Sequence, residues 1–172
     1  MIRLFARVFF SALLLWTWSL VEEQTFAMNQ QGSTRAQTFF TQLNKDTMNL
    51  VDEFYDKDAT FIDPLGTHRG VAEIRKYYEH LYENVIEIRF DYENEVQSGN
   101  DTVLIWTMRV RHKKVKGGDW IVSHGNSYIR FDPKTQKAIY HRDYFDMGEF
   151  LYENIPVVGG IVRYIRKKAA QK

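Results

Sequence analysis

The sequence predicts an α+β fold in which about three N-terminal helices pack on a curved antiparallel sheet. After residue 28, apolar residues first recur at helical spacing and then alternate every second residue. Helices and strands that are segregated along a chain form layered α+β domains, so the helices should cover one face of the sheet. With 172 residues, of which 44% are hydrophobic, the chain can bury the core of one such domain.

Charge balance and the lack of cysteine exclude several classes of protein. The chain has 23 Lys+Arg against 22 Asp+Glu, so no overall field favours a nucleic-acid partner. A basic hairpin that includes Arg109 and Lys114 is interpreted as a solvated sheet edge, and we expect no nucleic acid. Without cysteine there is no disulfide or thiolate metal site. No histidine and carboxylate pair has zinc-hydrolase spacing, so we also expect no metal.

Residues 1–27 have the pattern of a signal peptide. Arg3 and Arg7 precede an apolar run from Val8 to Val21, which is shorter than the roughly 20 residues of a spanning helix. Three interpretations stay open: a cleaved signal, an uncleaved anchor, or an extension upstream of a true start at Met28. A start at Met28 predicts a cytoplasmic protein, and the other two predict export or membrane anchoring. The predicted divisions are this segment, a domain over 28–150 and a C-terminal helix over 151–172.

Two short helices open the predicted domain. Between Thr34 and Asn44, the apolar residues Phe39, Phe40 and Leu43 recur at helical spacing. We expect Asp46 to cap a second helix, because its side chain can accept a hydrogen bond from a free backbone N–H. The apolar positions of that second helix are Leu50, Val51 and Phe54.

A brief strand, a turn and a third helix follow. The strand covers Ala59 to Ile62 and ends at Asp63, because the following Pro64 has no backbone donor and favours extended geometry before it. Gly66 turns the chain, and a helix begins after Gly70. Apolar and charged residues of this helix separate onto two sides. The apolar side consists of Val71, Ile74, Tyr77, Tyr78, Leu81 and Tyr82.

Four long strands complete the domain as an antiparallel meander. Alternation predicts the first two, with turns near Gly99 and Gly117. The last two are predicted over Trp120 to Phe131 and Ala138 to Phe145, joined by a connection that begins at Asp132. The inward residues of the first pair are expected to be Ile86, Ile88, Phe90 and Tyr92, and Leu104, Trp106, Met108 and Val110.

The C-terminal segment predicts an apolar helix with a basic end. From Tyr152 onward there is one acidic residue, Glu153, and the basic residues are Arg163, Arg166, Lys167, Lys168 and Lys172. Two interpretations stay open. The helix packs on the domain, with the helix dipole favouring cations at its end, or it lies on a membrane surface as a peripheral contact.

The segment FYDKDATFIDPLGTHRGVAEIRKYYEHL resembles a region of the superfamily of nuclear transport factor two, the SnoaL-like polyketide cyclases and ketosteroid isomerase. HRDYFD, near the end of the domain, resembles the last-strand pattern of the SnoaL-like branch. The resemblance covers Gln37 to Asp146. It implies a cone-shaped fold whose curved sheet leaves a deep pocket open at one end. It also implies a homodimer that forms through the outer sheet face.

The resemblance also implies roles for single residues. The proton-abstracting carboxylate of ketosteroid isomerase falls on Asp63. The central tyrosine of its oxyanion hole falls on Phe39, and the protonated aspartate falls on Ser127. Two supporting tyrosines fall on Tyr55 and Tyr78. The base is therefore retained and the oxyanion donors are lost, so we do not expect steroid-type isomerisation by the same machinery.

On the last predicted strand, alternation places His141, Asp143 and Phe145 on one face, and the resemblance turns that face toward the pocket. A carboxylate and an imidazole on a pocket wall are the components of an acid–base pair. Structural alternatives stay open for both carboxylates. Asp63 could be a turn residue that bonds to its own backbone. Asp143 could be neutralised by an arginine, the candidates being Arg89, Arg109 and Arg142.

Two functional hypotheses follow. In the first, the protein is a cofactor-free enzyme that abstracts a proton from a small apolar molecule, leading to isomerisation, cyclisation or hydration. Asp63 and Asp143 are the acid–base groups, and His141 assists. In the second, it is a non-catalytic module that binds an apolar ligand or partner, held at a membrane by its tail. We expect the ligand pocket to be lined by Phe39, Tyr55, Tyr78, Trp106, Met108, Ser127 and Phe145.

Overall fold

The computed structural model describes residues 35–171, and within them the predicted α+β architecture is confirmed. The signal-like segment 1–27 lies outside the described residues. In chain order the elements are α1 (35–42), α2 (Asn49–Phe54), β1 (Tyr55–Asp63), β2 (Gly66–Arg69), α3 (Val71–Tyr82), β3 (Val85–Ser98), β4 (Asp101–His112), β5 (Trp120–Phe131), β6 (Ala138–Phe145), α4 (Met147–Phe150) and α5 (Val158–Ala170).

The turn between α1 and α2 differs from the prediction. Helix α2 begins after Met48, and no side chain of residues 35–171 caps it, so Asp46 does not have the capping role that we expected. Instead the turn is organised by Asn44, whose side-chain oxygen accepts a hydrogen bond from the backbone N–H of Asp46 at 2.9 Å. Thr47 Oγ1 in turn accepts a hydrogen bond from the backbone N–H of Asn44 at 2.9 Å. These local bonds hold Asp46 away from the helix end.

Helix α3 forms as predicted and is the main helical wall of the domain. Gly70 precedes it with φ of 81°, a left-handed conformation that suits glycine. The Gly70 N–H donates to the carbonyl of Ala59 at 2.7 Å, which ties the start of α3 to β1. The helix buries Ile74, Tyr78 and Tyr82. Its aromatic side chains therefore face the sheet.

The sheet is curved and open, with the strand order β2-β1-β6-β5-β4-β3. Strands β3 to β6 form the predicted antiparallel meander. Strand β1 is longer than the predicted run of Ala59 to Ile62, and it pairs with β6 in parallel rather than antiparallel. A parallel partner must arrive through a long connection, which local sequence does not reveal. This pairing sets Phe61 opposite His141.

Strand β3 departs from simple alternation. The register of the β3–β4 pair shifts between Val85 and Glu87, and again between Tyr92 and Asn94. An extra residue in one strand reverses the faces of its neighbours. Ile86, which was expected to face inward, is exposed for this reason. Ile88 and Phe90 do pack against the core.

The core lies between the helices and one face of the sheet. Phe39 of α1 stacks on Phe54 of α2, with 4.1 Å between ring centroids. From the sheet side, Leu104 and Ile129 are completely buried. Burial of this aromatic and aliphatic surface is the main force that holds the helices on the sheet.

Two helices follow the last strand. Asp146 caps α4, because its side chain accepts a hydrogen bond from the Gly148 N–H at 2.7 Å and another from the Glu149 N–H at 3.3 Å. Helix α5 then lies at the outside of the domain. Between residues 35 and 171, no helix is both long enough and apolar enough to cross a bilayer.

Candidate functional site

A cavity of about 100 Å³ lies between α3 and the concave face of the sheet. Its walls are mainly aromatic and aliphatic, and two carboxylates, Asp63 and Asp143, face into it. Phe150 of α4 lines one side and meets Phe145 edge to face, with 5.4 Å between ring centroids. The remaining lining residues are Phe40, Phe61, Leu65, Tyr78, Leu81, Tyr82, Ile88, Phe90, Trp106, Met108 and Ser127.

The two carboxylate oxygens of Asp143 differ in their contacts: Oδ1 has two polar partners, and Oδ2 has none within residues 35–171. Its Oδ1 accepts a hydrogen bond from Ser127 Oγ at 2.5 Å and lies 2.8 Å from Nε2 of His141. Within residues 35–171, no hydrogen bond reaches its Oδ2. The side chain is 16% exposed. Asp143 therefore presents a fixed carboxylate oxygen to the cavity in a largely apolar wall.

Behind Asp143, a hydrogen-bonded chain runs through the core. Nδ1 of the buried His141 lies 2.6 Å from the Tyr55 hydroxyl, and that hydroxyl lies 3.1 Å from the Tyr78 hydroxyl. On the other side, Trp106 Nε1 donates to Ser127 Oγ at 3.0 Å. Buried polar groups are costly unless they are paired. In this chain each group has a partner.

The donors of this chain all point toward Asp143. Burial raises the pKa of Tyr55 and of Tyr78 well above the ordinary value, so both hydroxyls stay protonated. A neutral His141 that accepts from Tyr55 at Nδ1 must carry its proton on Nε2, and it then donates to Asp143. We assign the proton positions from this consistency. Each bond polarises the next along the chain.

Asp63 occupies a different setting on the cavity wall. Its Oδ1 accepts hydrogen bonds from the backbone N–H groups of Leu65 and Gly66, each at 2.8 Å. Its Oδ2 accepts a hydrogen bond from the Tyr77 hydroxyl. Asp63 is thus a turn residue that bonds to nearby backbone, which is one of the two predicted alternatives, and it also lines the cavity. With both oxygens engaged, Asp63 is a poorer proton acceptor in geometry than Asp143.

Tyr82 is a cavity residue, although its sequence position predicted only a place on the apolar face of α3. It lines the cavity, and no residue between 35 and 171 forms a hydrogen bond with its hydroxyl. Its pKa is raised, first by burial and then by the charges of Tyr92 and Asp143. Tyr82 therefore offers a protonated donor to whatever fills the cavity. Its position one helical turn after Tyr78 was the available sequence signal.

Some predicted site residues lie behind the cavity rather than in its wall. Phe39 and Tyr55, which were expected to line it, are buried in the core. His141 is completely buried, and its Nε2 lies 2.8 Å from the cavity carboxylate of Asp143. The parallel pairing of β1 with β6 explains why His141 is buried. It brings the ring of Phe61 against the imidazole, with 4.6 Å between ring centroids. Tyr78, Trp106, Met108, Ser127 and Phe145 do line the cavity.

The proposed arginine partners of Asp143 are engaged elsewhere. Arg89 pairs with Glu87, and Arg109 pairs with Asp91. Arg142 lies over the ring of Tyr144, 4.8 Å from its centroid. The carboxylate of Asp143 is therefore balanced by hydrogen bonds rather than by an arginine.

His68 of β2 is half-buried beside the turn that contains Asp63. Its ring stacks on Tyr77, with 3.8 Å between centroids, and its Nε2 is buried without a hydrogen-bond partner in the described chain. It supports the tyrosine that bonds to Asp63. Residues 35–171 contain no cluster of three side chains suited to hold a metal ion.

Three solved structures illustrate the known proteins that this fold resembles. A candidate SnoaL-like polyketide cyclase from Shewanella denitrificans is 21% identical with a TM-score of 0.61, over 69% of this chain and 92% of that one. An NTF2-like protein of unknown function from Burkholderia pseudomallei is 19% identical with a TM-score of 0.57, over 78% and 95%. AclR, a candidate hydroxylase from Streptomyces galilaeus, is 14% identical with a TM-score of 0.61, over 77% and 98%.

At these identities the similarity shows a shared fold. Among curated proteins, no sequence matches the chain significantly. The model of one domain family does match, and it covers residues 36–141, which include helices α1 to α3, most of the sheet and the buried His141. Because this match extends over more than half of the sequence, the chain belongs to the SnoaL-like domain family.

Proposed function

We propose that the protein is a cofactor-free enzyme that moves a proton on a small, mostly apolar carbonyl compound, with Asp143 as the general base. The observation that carries this proposal is that only one of the two carboxylate oxygens of Asp143 is hydrogen-bonded within residues 35–171. One oxygen is held by Ser127 and His141, and the other faces an apolar cavity. A base that is fixed in this way loses little orientational freedom when it reacts.

The donor that the reaction requires is Tyr82. Removal of a proton beside a carbonyl places negative charge on the carbonyl oxygen, and a donor at that oxygen stabilises the transition state. The hydroxyl of Tyr82 is protonated and has no partner in residues 35–171. It takes the role for which ketosteroid isomerase uses residues that correspond to Phe39 and Ser127.

The proposed step balances without a cofactor. Oδ2 of Asp143 removes a proton from the carbon beside the carbonyl, so the C–H bond breaks and an O–H bond forms. The electron pair forms a C=C bond, and the charge collects on the former carbonyl oxygen, which accepts a hydrogen bond from Tyr82. When the substrate is a β,γ-unsaturated carbonyl compound, return of the proton from Asp143 to the γ-carbon shifts the double bond and completes an isomerisation. When it contains a second carbonyl, attack of the enolate carbon forms a C–C bond, and Asp143 returns its proton to the new alkoxide to complete a cyclisation.

Asp63 and His141 have supporting roles in this proposal. His141 positions Asp143 through its Nε2 and does not contact the substrate. Asp63, which Tyr77 and two backbone N–H groups hold, orients a polar group of the substrate at the other side of the cavity. The apolar walls select an apolar molecule. A carbonyl substrate is in keeping with the candidate polyketide cyclase among the similar folds.

The test does not require the natural substrate. Cyclohexanone and 2-tetralone, ketones of one and two rings, are incubated with the protein in D₂O, and exchange of their α-protons is followed by NMR. We expect catalysed exchange for at least one ketone. The matched control is Asp58→Asn, which changes an exposed carboxylate of β1 outside the cavity and should not alter the rate.

The non-catalytic hypothesis predicts a different outcome. If the ketones bind, as seen by line broadening or shifted protein resonances, and their α-protons exchange no faster than in buffer, the cavity is a binding site rather than an active site. The homodimer that the resemblance implies stays a proposal. The outer sheet face offers exposed apolar side chains, including Val122 and Ile139. A monomer in sedimentation at micromolar concentration would exclude that dimer.

A further inference from the structure

Helix α5 faces the domain with its polar side. The guanidinium of Arg166 forms ion pairs with Asp146 and Glu153, and Arg163 donates to the backbone carbonyl of Glu153 at 2.9 Å. On the same side, Gly159 contacts the backbone of Glu153 so closely that a β-carbon has no room. A surface helix usually turns its apolar stripe to the core. In α5 this arrangement is inverted.

The apolar side of α5 faces outward as a result. Ile161, Tyr164 and Ile165 follow the three- and four-residue spacing of one helical face, and their exposed fractions are 55%, 62% and 58%. Val158, one turn earlier, is 40% exposed. We call these four residues the outer stripe. Several large apolar side chains on one exposed helix face indicate a surface that binds a membrane or another protein.

The turn that leads into α5 also displays an apolar side chain at a conformational cost. Val157 has φ of 70° and is 80% exposed. A β-branched residue is rarely found in the left-handed region, where such strain costs roughly 1–3 kcal/mol. Val157 directly precedes the outer stripe in the chain.

Cations are placed at the end of the outer stripe. Neither Lys167 nor Lys168 has a carboxylate partner within residues 35–171. Lys168 Nζ lies 5.9 Å from the centroid of the Tyr164 ring, so the ammonium adjoins the stripe itself. The sequence of α5 contains no acidic residue. A second copy of α5 laid on this stripe would therefore bring lysines together without any carboxylate on α5 to offset them.

We propose that the outer stripe of α5 lies on the surface of an anionic lipid bilayer, with Val157 and the stripe inserted at the headgroup level and the two lysines at the lipid phosphates. An apolar helical face flanked by lysines that have no carboxylate partner within residues 35–171 is complementary to such a surface in both polarity and charge. The long stems of the lysines reach the headgroups from an inserted helix. The ion pairs of Arg166 hold the domain against the inner side of the helix.

The absence of cysteine from the chain allows a local test. Tyr164→Cys in the full chain is labelled with an environment-sensitive fluorophore and titrated with phosphatidylcholine vesicles that contain about 30% phosphatidylserine. We expect a blue shift that is lost at about 0.5 M salt and is absent with phosphatidylcholine alone. A label at Val96→Cys, on an exposed position of β3, should not shift.

The charge requirement is tested in the same labelled chain. Lys167→Gln with Lys168→Gln should weaken partition by about 25-fold, since each lysine near an anionic surface contributes about fivefold. The matched control is Lys134→Gln, which lies in the β5–β6 connection and should change partition less than twofold.

Two outcomes would overturn the proposal. In the first, vesicles bind the chain while the label at position 164 stays in water, which places the contact elsewhere in the chain. In the second, the label shifts without lipid and in proportion to protein concentration, which assigns the stripe to a second copy. A shift at position 164 that requires phosphatidylserine and both lysines supports the proposal.

Discussion

The hydroxyl of Tyr55 lies 2.6 Å from Nδ1 of His141 and links the start of β1 to β6, the last strand in chain order. Because His141 is completely buried, this hydrogen bond decides which ring nitrogen carries the proton. The imidazole then presents Nε2–H to Asp143. The proposed base thus depends on a tyrosine that does not line the cavity.

Tyr55→Phe tests this dependence. The change removes hydrogen bonds to His141 and Tyr78 and leaves a buried ring nitrogen without its donor, so we expect the free energy of unfolding to fall by about 1–3 kcal/mol. The rate of ketone α-proton exchange should fall about tenfold with little change in ketone affinity. Tyr144→Phe, at an exposed ring of β6, is the control. Unchanged stability and rate would show that the network does not position Asp143.

The buried tyrosines also predict a loss of stability at alkaline pH. Burial raises the pKa of Tyr55 and of Tyr78 in the folded state, whereas both titrate near 10 when the chain is unfolded. A raised folded pKa contributes stability that is complete below pH 10 and is lost as the pH rises above it. The loss is up to about 1.4 kcal/mol per pH unit for each tyrosine.

Denaturant unfolding between pH 8 and about 11.5 measures this slope. The double variant Tyr55→Phe with Tyr78→Phe should show a flatter decline above pH 10 than the native chain. An equally steep decline in both proteins would mean that other groups cause it.

Tyr82→Phe separates catalysis from stability. The hydroxyl has no hydrogen-bond partner in the described chain, so its removal should change the free energy of unfolding by less than about 0.5 kcal/mol. If it stabilises the oxyanion, the exchange rate should fall by about 10- to 100-fold. Tyr92→Phe, whose hydroxyl bonds to α1 outside the cavity wall, is the control. An exchange rate equal to that of the native chain would remove Tyr82 from the mechanism.

Gly125 determines the position of Trp106 in the cavity wall. A β-carbon at Gly125 would lie 2.7 Å from Trp106 Cζ2 and 2.7 Å from the backbone oxygen of Tyr144. Gly125→Ala should therefore cost about 1–3 kcal/mol and displace the indole. At Gly66, whose N–H donates to Asp63, a β-carbon would make ordinary contacts. Gly66→Ala should cost less than about 1 kcal/mol, and equal effects of the two changes would contradict this account.

The fold could be predicted from the sequence because local periodicity decides which residues form α3 and the four-stranded meander. The parallel pairing of β1 with β6 could not, since no local signal identifies a strand partner some 80 residues away. The bulge that exposes Ile86 depends on register, which alternation alone does not define. The competing hydrogen bonds of Asn44 and Thr47 likewise overrode the expected cap at Asp46.

The candidate site was predicted only in part. Alternation correctly grouped His141 with Asp143, because both lie on one face of β6. The roles of the two carboxylates depend instead on contacts between residues that are far apart in the sequence. The hydroxyl of Tyr77 in α3 donates a hydrogen bond to Asp63, and the hydroxyl of Tyr55 orients His141. Tyr82 was missed because a tyrosine on an apolar helical stripe is typical of a core residue. The folded structure shows that Tyr82 lines the cavity and that its hydroxyl has no hydrogen-bond partner among residues 35–171.

The assignment of Asp143 rather than Asp63 as the base is tested most directly by the α-proton exchange rates of Asp143→Asn and Asp63→Asn, measured on the same ketone at equal folded fraction. We predict at least a 100-fold loss for Asp143→Asn, the effect of removing a positioned base, and less than about a tenfold loss for Asp63→Asn, since that carboxylate is already engaged. Native exchange in Asp143→Asn together with its loss in Asp63→Asn would contradict the account.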